Sequence, residues 1–356
     1  DLYILSNDKH TLSLTNDEYK KRELLIKRIN ELGIEQVIEE VAYTWFNRIV
    51  AIRYMEINDY LPLTKDNQSL GIRVLSSKDN TPDPEILKFT NLTNPDLDID
   101  FKKGKYAELK DDNEKFKYVL LLVCKKLGRV IPQVFDGITD YIDILIPDNL
   151  LNDTGFINKI VSEVPENNYN QVEIIGWLYQ YYNQTEKDRV ISAKKAYKKN
   201  EIAYATQLFT PDWIVKYMVE NSLGKLALES TGINENLKNN WKYYIESELD
   251  KNSEKIKIED VKILDPAMGS GHILVYAFDL LFEMYENLGW STKDSVLSIL
   301  KNNLYGLEID ERAGQLASFA LMMKAREKFS RLFSVLKREE TFKLNTLIIE
   351  ESNKLS

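Results

Sequence analysis

One stretch limits the fold of this chain more than any other: a short β-type run, an acidic turn with two glycines and a long apolar helix, in that order. Val261-Lys262-Ile263-Leu264 has the composition of a strand. Asp265-Pro266-Ala267-Met268-Gly269-Ser270-Gly271-His272 follows it, and from Ile273 onward the pattern is helical. A strand that ends in an acid and passes through Gly-x-Gly into a helix opens a parallel α/β sheet. Such sheets bind ligands at the carboxyl ends of their strands.

The residues that follow continue the alternation. The helix predicted over 272–288 is apolar nearly all round except for Asp279, Glu283 and Glu286, so it should pack on a sheet and keep one narrow wet face. Asn303 to Leu307 reads as a second strand, ending in Glu308-Ile309-Asp310, and Thr346 to Ile349 as a third. Between them a helix carries Ala313, Leu316, Ala317, Ala320 and Met323 on one side. Upstream, Thr210-Pro211 is a good helix start, with threonine as cap and proline at the first helical position. Residues 231–260 form a polar insertion with one helix expected around Trp241 to Leu249.

The first part of the chain reads differently. Helical stripes run over Glu35–Met55, Lys115–Leu127 and Val172–Tyr182, with a polar loop at Asn91–Asp100. Ile72–Leu75 and Ile142–Ile146 are candidate short strands. The expected fold class is α/β, with a largely helical N-terminal domain over 1–200. A Rossmann-like sheet over 201–356, incomplete at its C-terminal side, follows it. The chain begins at Asp1 without methionine and stops soon after a strand-like run, which reads as a piece of a longer protein.

Bulk properties narrow the classes. No apolar stretch is long enough to span a bilayer and no signal-peptide pattern opens the chain. One cysteine, Cys124, and two histidines give neither a disulfide nor a metal-ligand set, so a reducing, cytoplasmic setting without membrane contact is expected. Cys124 reads as a buried small apolar residue. The formal net charge of −9 argues against this polypeptide as the main DNA-gripping surface. The local run Lys194, Lys195, Lys198 and Lys199, with Arg189 nearby, reads as a solvated face.

The turn itself selects among nucleotide ligands. A dinucleotide fingerprint needs a third glycine, and Leu274 stands at that position. Its acid should lie roughly 20 residues on, whereas Glu308 is much farther. S-adenosyl-L-methionine carries an ammonium and a sulfonium but no phosphate, so an acid at the turn suits it. Glu308 at the next strand tip offers two acceptor oxygens to vicinal ribose hydroxyls. In this reading Asp265 and the backbone at Ala267, Gly269 and Gly271 hold the methionine end, and Ile309 packs on the adenine ring. His272 is expected to serve helix start or packing. Trp177, Tyr179, Tyr181 and Tyr182 are expected to be core and boundary aromatics.

Asp265 to Gly271, preceded by Gln207-Leu208-Phe209-Thr210-Pro211, resembles the glycine and Phe-Thr-Pro elements of DNA methyltransferases acting on adenine N6. Further blocks resemble the adenine-specific methyltransferases of BREX phage-defence systems, the PglX family. They are Ala42 to Glu56, Trp177 to Tyr182, Ala205 to Val215 and Tyr305 to Ala313. The resemblance implies that Phe209, Thr210 and Pro211 close over the cofactor, with Thr210 at its methionine end. It also implies double-stranded DNA as the substrate of the full-length protein, and other phage-defence proteins as partners.

The family's Asn/Asp-Pro-Pro-aromatic element, which holds and stacks the target adenine, occurs nowhere in the sequence. Truncation explains this best, so no catalytic residue is assigned and the chain alone is not expected to methylate DNA. Two rival readings stand beside it. One is a fused restriction–modification enzyme, for which Pro95-Asp96 and Glu108-Leu109-Lys110 mimic a nuclease pattern. The other is a non-catalytic assembly module with a methyltransferase-like fold.

Overall fold

The computed structural model describes residues 15–62, 64–65, 68–69, 71–79, 81, 83–88, 93–94, 99–100, 108–109, 111–136, 141–198, 201–250, 252–336 and 343–348. They fall into two compact units, one up to Asn170 and one from Gln171. Among the described residues no helix is long and apolar enough to cross a membrane.

The first unit is built around α2 (Ile34–Ile57), against which α1 (Asn16–Leu32) packs. A capping box opens α1: Thr15 Oγ1 accepts the Glu18 amide while the Glu18 carboxylate accepts the Thr15 amide at 2.8 Å. From Thr44 to Glu56 every residue of α2 is buried, so the charged side chains on it must find partners inside. Arg48 donates to the carbonyls of Val134 and Asp136. Arg53 donates to Glu56 at 2.6 Å, to Ser76 Oγ at 2.8 Å and to Glu166 at 3.2 Å.

Glu56 also decides the shape of a neighbouring segment. Its Oε2 accepts the amides of both Val74 and Leu75 at 2.8 Å. Those amides are therefore unavailable to a ladder, and residues 71–76, where a short strand was a candidate, are irregular. Ile142–Ile146 is likewise no strand. Tyr141–Asp143 is a 3₁₀ turn whose Ile142 carbonyl accepts the Trp45 indole N–H at 3.1 Å. Thr93–Asn94 pairs antiparallel with Ile99–Asp100, while Pro95 and Asp96 lie outside the described residues. Helix α3 (Asp112–Gly128) buries Cys124, and burial pushes its thiol up to about 12. Helix α4 (Phe156–Glu163) packs on α2.

The second unit starts with helices α5 (Ile174–Tyr182), α6 (Gln184–Ser192), α7 (Ile202–Thr206) and α8 (Asp212–Val219). The α/β part follows as β1 (Ile263–Asp265), α9 (His272–Asn287), β2 (Leu304–Glu308), α10 (Glu311–Lys328) and β3 (Thr346–Ile348). The three strands form one parallel sheet in the order β1-β2-β3, with Asp265 paired to Gly306 and Gly306 to Thr346. The fold class is thus α/β, mostly helical with a small parallel sheet.

Helix α9 packs on β1 and β2, and α10 on β2 and β3. Ser318 of α10 hydrogen-bonds Thr346 at 2.8 Å, which puts α10 on the Gly306 face. Leu304, Gly306 and Glu308 are buried there. On the opposite face Leu264 and Leu347 are more than half exposed. The wet stripe of α9 is narrower than predicted. Glu283 and Glu286 are exposed, but Asp279 reaches Lys324 of α10 at 2.8 Å.

Two expectations for the linking segments are corrected. No helix covers 241–249. Instead the Tyr243 amide bonds the buried Glu220 carboxylate at 2.6 Å, and the Ile245 amide bonds Asn221 Oδ1 at 2.8 Å. Helix α8 begins at Asp212 rather than at Pro211. Pro211 is extended (ψ 139°) at the cap position, and Thr210 makes no side-chain cap.

Candidate cofactor site

The strand ends deliver two acids side by side. Asp265 closes β1 and Glu308 closes β2, and both are buried, at 8% and 9% exposure. Asp265 Oδ1 accepts the Ala267 amide at 3.1 Å, which folds the chain back immediately after the strand. Burial raises the proton affinity of this carboxyl, the Ala267 bond opposes the rise, and the nearby Glu308 charge adds to it.

Glu308 is a hub for backbone amides. Its Oε2 accepts Gly269 N–H at 2.7 Å, and its Oε1 accepts Ile309 and Asp310 N–H at 2.8 and 2.9 Å. A carboxylate has about four acceptor positions, so one position on Oε2 is left by these bonds. The turn is also tied to β2 through the Met268 amide, which donates to the Leu307 carbonyl at 3.0 Å.

The glycines serve different needs. Gly271 adopts φ +85°, and a Cβ there would lie 2.9 Å from Ala317 Cβ and 3.0 Å from Ala317 Cα. It therefore lets α10 approach the turn, the packing task that a third glycine performs in dinucleotide sites. Gly269, at φ +54°, faces open space: a Cβ would meet nothing within 4 Å.

Two of the three residues of the Phe-Thr-Pro element reach the turn. Phe209 stacks on the His272 ring with centroids 4.4 Å apart at 21°, and Trp177 meets it edge-on at 6.0 Å. The backbone of Thr210 faces the His272 ring. Pro211 is exposed. Burial lowers the His272 pKa, against the pull of Glu173, the Thr210 backbone and Asp212. Ala267 is exposed, and Ile309 presents a side chain that is 55% exposed. The residues given to the methionine end, the ribose and the adenine ring thus lie along one edge of the sheet.

A buried network behind the site escaped the sequence reading. Arg312 forks onto Asp310 (Nε–Oδ1 2.9 Å, Nη2–Oδ2 3.1 Å) and donates to the Tyr204 hydroxyl at 2.8 Å. Tyr179 donates to Asp310, whose Oδ1 also caps α10 through the Arg312 amide. The network joins α5 and α7 to the first turn after Glu308. Asp310 as a helix cap was legible from its place before the helical run; its partners from α5 and α7 carried no local signal. Of the aromatic cluster, Tyr179 is buried while Trp177 and Tyr181 are exposed, so they are boundary rather than core.

Of the basic run, Lys194, Lys195 and Lys198 are exposed, as a solvated face would be, and Lys199 lies outside the described residues. Pro95, Asp96 and Lys110 of the nuclease-like pattern lie outside them too.

Residues 239–355 match the family described as the MmeI DNA-methyltransferase domain. Over 95% of its length the chain is 37% identical to adenine-specific methyltransferase PglX of Lacticaseibacillus casei (strain Zhang). Over 93% it is 38% identical to adenine-specific methyltransferase BrxX of Escherichia coli O9:H4 (strain HS). It spans 30% and 27% of the length of these two relatives.

Proposed function

Because the chain belongs to the PglX family of adenine-specific methyltransferases, we propose that it supplies the S-adenosylmethionine-binding part of a DNA adenine-N6 methyltransferase acting in phage defence. The sheet β1-β2-β3 is then the start of a Rossmann-like methyltransferase sheet. One observation carries this reading: two buried carboxylates, Asp265 and Glu308, stand at adjacent strand tips beside an open glycine turn.

The donor fits this set of groups. Its ammonium and sulfonium are cationic, and a cation beside Asp265 offsets the burial and the Glu308 repulsion that disfavour the charged carboxylate. The remaining acceptor position on Glu308 Oε2 takes one ribose hydroxyl, and a second requires an amide to give way. Open space over Gly269 admits the ligand close to backbone. Ile309, exposed at the tip of β2, covers the adenine ring. Phe209 to Pro211 form the opposite wall.

When bound, the donor supplies an activated methyl group on a positive sulfur. The chain's own residues bind it, orient it and shield it. Since neither Asn-Pro-Pro nor Asp-Pro-Pro occurs in the sequence, no residue here is assigned to the acceptor base. DNA and other defence proteins are proposed as partners of the full-length protein, in a cytoplasmic setting.

Titration calorimetry with S-adenosylmethionine tests the reading. Binding with Kd on the order of micromolar is expected, and it should vanish in Asp265→Ala. An absence of heat in the folded wild-type chain would instead favour an assembly module that keeps the fold without the cofactor.

A further inference from the structure

We propose that His272 is a positioning residue that fastens the Phe209–Pro211 segment to the glycine turn, so that the two walls of the donor site hold together as one body. The inference rests on the reading of this site as one for S-adenosylmethionine. Segments far apart in sequence converge on the ring. Phe209 lies on the imidazole at 4.4 Å and 21°, and the Thr210 backbone faces it. From α5, Gly176 comes so close that a Cβ would lie 2.6 Å from Ser270 Oγ and 2.7 Å from Phe209 Cε2. His272 is the first residue of α9, directly after the left-handed Gly271. The backbone turn that shapes the site therefore also fixes the place of the ring.

Burial fixes the form in which the ring acts. Nδ1 is buried and has no hydrogen-bond partner among the described residues. With no acceptor at Nδ1 the ring proton sits on Nε2, and burial, which lowers the proton affinity, keeps the working ring a neutral imidazole. A second proton, on Nδ1, finds no acceptor there. The charged groups facing the ring are Glu173 on the α5 side and Asp212 and Lys216 of α8. The two carboxylates favour protonation, Lys216 and burial oppose it, and burial is the largest influence. Acid should therefore loosen the fastening.

Two variants separate the parts of this contact: His272→Phe keeps the stack but loses the titration, and His272→Ala loses both. Hydrogen exchange on the protein without donor reads the fastening directly. Amides of Ile214 and Val215, which bond the Pro211 carbonyl, should exchange about tenfold faster in His272→Ala, the effect of 1.4 kcal/mol, and less so in His272→Phe, while the interior of α9 keeps its protection. Calorimetry should show donor binding about tenfold weaker in His272→Ala. Wild-type affinity should fall from neutral to mildly acid pH, and His272→Phe should lack the part of that fall due to the ring. Unchanged exchange at Ile214 and Val215 in both variants overturns the proposal. A wild type that binds no donor, with exchange accelerated as stated, leaves the fastening intact and overturns the cofactor reading instead.

Discussion

The Glu308 carboxylate accepts the Gly269 amide at 2.7 Å, so the tip of β2 and the glycine turn after β1 form one hydrogen-bonded piece. The same carboxylate holds the amides of Ile309 and Asp310. The residue assigned to the ribose is thus also the residue that shapes the turn.

That double duty makes a stability prediction. Glu308→Ala leaves three backbone amides without their charged acceptor, and such bonds contribute about 1.5–3 kcal/mol each without adding fully. A loss of about 3 kcal/mol in urea unfolding is expected for Glu308→Ala, with a smaller loss for Glu308→Gln, which keeps one carbonyl oxygen. An alanine variant as stable as wild type would show that the carboxylate is not the hub described.

Asp265 should behave in the opposite way. Its pKa is raised in the folded chain, so the folded state holds the proton more tightly than the unfolded one. Stability then decreases as pH rises from the ordinary value of 3.8 through the folded value, and the ionised carboxylate is a burden at neutral pH. Asp265→Asn should raise Tm at pH 7 by on the order of 2 °C and flatten that limb of the pH–stability profile. Donor binding should weaken by at least about tenfold in the same variant. Thermal melts and calorimetry on one preparation would expose either half as wrong.

Gly271 is tested by size. Gly271→Ala places a Cβ 2.9 Å from Ala317 Cβ at φ +85°, which combines a clash with backbone strain. About 2–3 kcal/mol of destabilisation is expected. Ala317→Gly removes one of the clashing atoms but not the strain, so the double variant should recover only part of the loss. Full recovery would mean that the dihedral angle is unimportant.

The Arg312 network predicts a large effect away from the strand tips. Arg312→Ala leaves the Asp310 carboxylate without its charged partner and the Tyr204 hydroxyl without its donor, for a loss of about 3–5 kcal/mol. Tyr204→Phe deletes one hydrogen bond and should cost about 1 kcal/mol. Denaturant titrations that rank the two variants in the reverse order would contradict the assignment of Arg312 as the centre.

The α/β half was legible because its pattern is local. Apolar runs ending in Asp265 and Glu308, a glycine turn and a helix apolar on most sides can adopt few arrangements: β1, α9, β2 and β3 appear within two residues of their expected bounds, and α10 lies between β2 and β3 and contains the expected Ala313–Met323 side. Two of the failures, one in each unit, share a cause. Glu56 takes the amides of Val74 and Leu75, and Glu220 with Asn221 takes those of Tyr243 and Ile245. A backbone donor captured by a side chain on a distant helix cannot enter a strand or helix ladder, and no window of neighbouring residues reveals it. The Asp310–Arg312–Tyr179–Tyr204 network was equally hidden: its two tyrosines lie more than a hundred positions from Asp310 and Arg312.

The sealed thiol of α3 has a practical consequence. Thiol-directed dyes attack the thiolate, and a group pushed up to about 12 presents almost none at neutral pH. Cys124 is also the only cysteine of the sequence. The protein is therefore spectroscopically blank toward such dyes without any engineering of its native thiol. A cysteine introduced at Tyr181 or Trp213, 78% and 55% exposed, becomes the single addressable point from which motion beside the strand tips can be read.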